Sequence, residues 1–186
     1  MKRMVLVVAF CMTASLSALA GEQREVESSL GDVTYVIPED SPVGAATPKE
    51  YDIVEYDGRI LVSGDYEYGY KTNDPSDADN YGVKVLVFTL DRHSVDVLPY
   101  WDRDGRVASN LVIDNPDVFV RTLIPREQLL RLEARKINTI RGTASIWVDR
   151  FQTHVECDHQ YDSATFSSVV EAKYVAFEGF AEDPGC

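Results

Sequence analysis

A period of two runs through most of this chain and limits the fold more than any other feature. In "ILVSGDYEYGY" the residues Ile60, Val62, Gly64, Tyr66, Tyr68 and Tyr70 share one face, and Leu61, Ser63, Asp65, Glu67 and Lys71 share the other. "VKVLVFTL" sets Val83, Val85 and Val87 against Leu86, Phe88 and Leu90, and "TASIWVDRF" sets Thr143, Ser145 and Trp147 against Ala144, Ile146 and Val148. "SSVVEAKYVAFEGF" supplies a last run. Alternation of this kind buries one side of a strand, which points to sheets rather than helices. The tyrosine side of the first run is expected to face the core. Apolar residues on both sides of 83–90 predict a central strand covered on each face.

Turn residues divide the runs. Asp57-Gly58 lies between two alternating segments and predicts a two-residue hairpin. "TNDPSDADNYG" and "DRDG" read as loops. "SVDVLPYW", "NLVI" and "DVFVRTLI" read as further strands, interrupted at Asn115-Pro116 because proline cannot donate to a central ladder. One helix is predicted over Pro125–Lys136. Proline suits its first turn, Glu127 is spaced to pair with Arg131, and Arg135 and Lys136 lie where a helix end favours positive charge. Leu129, Leu132 and Ile137 form its buried stripe. The expected fold is mainly β: an antiparallel barrel or a sandwich with one short helix. The helix follows three to five strands and precedes the last few, an order that resembles the five-stranded OB barrel, elaborated at both ends.

Residues 1–20, "MKRMVLVVAFCMTASLSALA", have a basic head (Lys2, Arg3), an apolar run and an Ala18-Leu19-Ala20 ending, the pattern of a signal peptide. The run is short and broken by Thr13, Ser15 and Ser17, unlike a membrane-spanning helix. The expectation is a secreted protein, soluble in the periplasm, with an irregular segment at 21–50 containing one strand and a single β-rich domain at 51–186. Cys157 and Cys186 remain after cleavage. An even pair in an oxidising compartment predicts a disulfide, whose loop of about thirty residues is worth about 3–4 kcal/mol by chain entropy.

The chain carries 18 basic and 31 acidic residues, a formal charge of −13. Loss of Lys2 and Arg3 with the signal makes it more negative. With no basic stripe to offset the field, nucleic acid and anionic membranes are repelled. A cationic protein or peptide is the partner this charge attracts, with loops 71–82 and 100–106 as expected contact sites.

Two constellations suggest chemistry. In "THVECDHQYDSATF", His154 and Glu156 fall on one strand face and are usable zinc ligands, with His93 the one histidine outside this stretch. In "DPSDADN", Asp74, Asp77 and Asp79 crowd oxygen ligands of the kind calcium takes, without the closing glutamate of an EF-hand. His93 and Ser94 are neighbours that point apart, so they form no dyad, and no nucleophile elbow or phosphate loop is present. The expected function is therefore non-catalytic: an exported binding protein acting as inhibitor, immunity factor or envelope accessory factor for a cationic protein. The alternative is a metal-dependent module or enzyme using His154 and Glu156. No cofactor is expected beyond that calcium or zinc.

Overall fold

Long alternating segments pair best with one another, and here they close on themselves. A computed structural model describes residues 24–72, 74–103 and 110–177. Five strands make the wall of a barrel: β4 (Val54–Tyr70), β5 (Lys84–Leu90), β7 (Asn110–Ile113), β8 (Thr139–Glu156) and β9 (His159–Phe177). β4 pairs with β5, β5 with β7, β7 with β9, β9 with β8, and β8 again with β4. Every pairing is antiparallel except β7 with β9. A parallel pair needs a crossover, supplied here by helices α2 (Pro116–Leu123) and α3 (Arg126–Glu133) between the third and fourth barrel strands. Strand order and helix position are those of an OB-type barrel.

Both ends of this cylinder are covered. At one, α2 brings Phe119, fully buried, against Tyr66, Phe88 and Phe166, with ring centroids 5.6, 5.8 and 5.4 Å away in edge-to-face geometry. At the other lies a small sheet of β1 (Arg24–Glu27), β2 (Thr34–Ile37) and β6 (Tyr100–Trp101), whose Tyr35, Ile37 and Trp101 join the same core. β3 (Ala46–Pro48) extends the barrel sheet beside β4. Segment 21–50 thus contributes three short strands where one was expected.

Several expectations from the sequence are corrected. Asp57-Gly58 makes no hairpin. β4 runs through it, paired with β8 on both sides (Tyr56 with Phe151, Arg59 with Asp149), and the extra residues form a bulge with Gly58 at φ +104°. The two-residue hairpin turns fall at Tyr51-Asp52 and Cys157-Asp158, where all four residues have φ between +51° and +62°. "SVDVLPYW" does not begin as a strand. Asp91 caps a short helix, α1 (Arg92–Val97), by accepting the Ser94 amide at 2.8 Å. "DVFVRTLI" is α2, not a strand: Pro116 sits at its start, and Phe119, Val120 and Leu123 share its buried face. The described residues therefore hold three helices, not one. The predicted helix is α3, shorter than Pro125–Lys136, and Arg135 beyond it has φ +52°. Among the described residues no helix is long and apolar enough to cross a membrane.

Candidate functional site

The outer wall of the barrel holds an open groove of about 760 Å³ across four strands. Alternation puts Asp65 and Glu67 of β4, Val87 and Thr89 of β5, Arg141 and Thr143 of β8, and Val175 of β9 along it. The sheet can bend sharply here because two inward positions lack side chains. A Cβ on Gly142 would collide with the Lys173 carbonyl and the Tyr66 ring, and one on Gly64 with the Thr89 carbonyl. Glu67 accepts a hydrogen bond from Arg141 Nε at 2.8 Å across β4 and β8. A smaller hollow of about 240 Å³ includes Asp65, Asp91, Glu171 and Lys173 among its walls. Together the two hollows offer four carboxylates and two cations beside exposed valines. That arrangement suits a ligand bearing both aliphatic and positively charged groups.

β5 was expected to be covered on both faces, and it is not. Phe88 and Leu90 are buried, while Val83, Val85 and Val87 are exposed, at 42, 36 and 42%. Val87, which lines the groove, was the signal in the sequence that could have found it. In OB-type barrels that bind single-stranded nucleic acid, stacking aromatics and basic groups work together. Here the outward stripe of β5 is aliphatic, and the charged groups lining the groove are Asp65, Glu67 and Arg141.

A second constellation lies at the end covered by the small sheet. Asp162, on β9, is wholly buried, and burial pushes its carboxyl up to about 7 although Gln160 Nε2 donates to Oδ1 at 2.8 Å. Gln160 also donates to the Pro99 carbonyl at 3.2 Å and accepts the Trp101 amide at 2.6 Å, tying β6 to the barrel. Nearby, the Tyr56 and Thr153 hydroxyls are 3.3 Å apart, and Tyr35 Oη donates to the Asp52 carbonyl at 2.8 Å. Burial raises both tyrosines well above their ordinary range. Asp52 Oδ1 is buried with no hydrogen-bond partner. The strained Tyr51-Asp52 turn adjoins this cluster.

None of the candidates from the sequence belongs to either place, although His154 directly follows Thr153 on β8. His154 is stacked on Tyr161 of the neighbouring strand, centroids 5.3 Å apart, and Glu156 is exposed at the end of β8 opposite His159. His93 is exposed on α1. Its neighbour Ser94 is buried, and its hydroxyl accepts from the Ser63 amide at 2.8 Å and donates to the Ser63 carbonyl at 3.2 Å, clamping α1 to β4. In the acidic loop, Asp74 accepts from the amide and hydroxyl of Ser76 at 2.8 and 2.7 Å, and both oxygens of Asp77 accept from Asn80 at 3.0 Å. The bonds from Ser76 lower the Asp74 carboxyl. Asp79 lies in the same loop. Among the described residues no three histidine, cysteine or acidic side chains gather as a metal site. Cys157 is exposed at a hairpin tip rather than set against the core. Its partner in the expected disulfide, Cys186, lies outside the described residues, as does the signal segment.

No protein-family model, curated protein or solved structure matches this chain.

Proposed function

We propose that this is a non-catalytic exported binding protein of the periplasm, an inhibitor, immunity factor or envelope accessory factor whose partner is a cationic protein. The observation that carries the reading is the outer groove, where Asp65 and Glu67 border Val87 and Val175 on a chain of net charge −13. Apolar contact in the groove holds a ligand, and the surrounding negative field selects a basic one and speeds the encounter. The reading places binding on the barrel wall rather than in the loops at 71–82 and 100–106. Of these, 71–82 is pinned at its far end, since the Arg135 guanidinium lies 4.1 Å from the Tyr70 ring centroid and 4.7 Å from that of Tyr81. The export reading rests on the pattern of residues 1–20 and on the even pair of cysteines, Cys157 and Cys186, that follows it in the sequence.

The test is capture from native envelope extract, with association rates of the captured partner measured at low and high salt. Wild-type chain is expected to retain a basic protein whose association slows as salt rises. Asp65→Lys is expected to weaken it about tenfold. Capture that is indifferent to both salt and Asp65→Lys rejects the groove as the binding site.

A further inference from the structure

Among the described residues, two unpaired margins of the sheet have opposite character. One is β3, three residues long and ending in Pro48, the kind of short edge closed by proline that discourages pairing. The other is the second half of β9. β7 pairs with β9 only from Asp162 to Ala164, while β8 follows β9 on its other side as far as Phe177. Among the described residues no strand takes up the backbone of β9 on that free side beyond Ala164. The stretch is long, apolar and open on both faces: Val169, Val170, Tyr174 and Val175 are exposed at 37, 58, 43 and 59%. Such an edge is a template for another strand.

Its charge points to the occupant. "SSVVEAKYVAF", residues 167–177, carries one acid and one base and is locally neutral in a chain of −13. Two copies therefore meet with least repulsion here. The order of side chains is also self-complementary about Ala172. Turned through a two-fold axis at that residue, an antiparallel copy sets Glu171 opposite Lys173, and Val170 opposite Tyr174. Glu171 and Lys173 already pair within one chain at 3.1 Å, so the two-fold would make a row of four alternating charges. A two-residue slip would place Lys173 against Lys173 or Glu171 against Glu171, and a one-residue slip would set Lys173 or Glu171 against Ala172. The bulge at Val170, where Glu171 pairs with Ser145 and Val169 with Ile146, falls at each end of the frame and limits its length.

We propose that the free edge of β9 is a homodimer interface, with a second copy of this chain pairing antiparallel through residues 170–174 about Ala172. The pairing joins two barrel walls into one continuous sheet and brings the two outer grooves side by side, since Val175 belongs to both the edge and the groove. It stands independently of what the groove binds.

Sedimentation of the purified chain over a wide concentration range tests the pairing. Wild type is expected to show a concentration-dependent dimer. Lys173→Glu sets Glu171 against a second acid, and Glu171→Lys sets Lys173 against a second base. Each is expected to weaken the dimer about tenfold. The double variant E171K/K173E restores the complementary order and is expected to restore the dimer. Both side chains are exposed, so unchanged melting temperatures serve as the control for folding. A wild-type chain that stays monomeric throughout, or a double variant no better than the single ones, overturns the proposal.

Discussion

At one end of the barrel Phe119 meets three aromatic rings edge to face, whereas at the other Tyr35, Tyr56, Thr153 and Asp162 gather through hydroxyls and a carboxyl. The two ends share the same wall strands and are both shielded from water, yet they stabilise the molecule by different means. The aromatic end gains from area removed from water and from ring geometry, neither of which depends on pH. At the polar end each buried group needs a partner, and a charge on Asp162 is disfavoured by its own burial. The barrel is thus anchored at the aromatic end and conditionally stable at the polar one. Strain follows the same division, because the hairpin turns with left-handed residues at Tyr51-Asp52 and Cys157-Asp158 lie near where β4 begins and β8 ends.

The largest effect should come from the aromatic end. Phe119→Ala removes the ring shared by three neighbours and is expected to cost about 3–5 kcal/mol in urea unfolding, with little difference between pH 5 and pH 8. Asp162 should respond in the opposite way. The folded chain holds its proton up to about pH 7, whereas an unfolded aspartate releases it near about 3.9. Between those values the folded state binds more protons, so stability falls as pH rises and the loss is complete above pH 7. Asp162→Asn keeps an oxygen for Gln160 and cannot ionise. It is expected to stabilise the protein by about 2–4 kcal/mol at pH 8 and to flatten the slope between pH 4 and 7. A wild-type unfolding curve unaffected by pH across that window would erase the contrast between the ends.

Two smaller changes sharpen it. Gly142→Ala pushes a methyl group into the Tyr66 ring and the Lys173 carbonyl, and is expected to cost about 2–3 kcal/mol by thermal melting at any pH. Tyr66 Oη is itself buried without a partner, and burial raises that phenol to about 12, so no charge intervenes near neutrality. Tyr51→Asn replaces an exposed side chain at φ +57° with one that tolerates the left-handed region. It is expected to gain about 1 kcal/mol, seen as a raised Tm.

The wall of the barrel was legible because alternation is a local property. Ile60, Val62 and Tyr66 are buried and Leu61, Asp65 and Glu67 are not fully so, as their spacing implies. The helix α2 was not legible as such: Val118 and Val120 flank Phe119, so eight residues fit a strand pattern nearly as well as a helical one. What decides between them is Pro116 at a helix start and a barrel mouth that needs a ring, and only the second lies beyond the segment itself. Asp57-Gly58 misled for a related reason. The dipeptide favours a reversal, but pairing with β8 on both sides holds the strand straight and turns the same preference into a bulge. The polar cluster was invisible because Tyr35, Tyr56, Thr153 and Asp162 are far apart in sequence and belong to no motif. The groove was half visible, in Val87, taken to be covered.

The parallel contact between β7 and β9 has a consequence for synthesis. The strand that shuts the ring is the last of the five described barrel strands in chain order, and its contact with β7 begins only at Asp162. A nascent chain still lacking that residue cannot close its cylinder, however well its earlier hairpins have formed. It remains an unsealed sheet, able to be threaded or captured until β9 has been made, and the barrel exists only once that strand is in place.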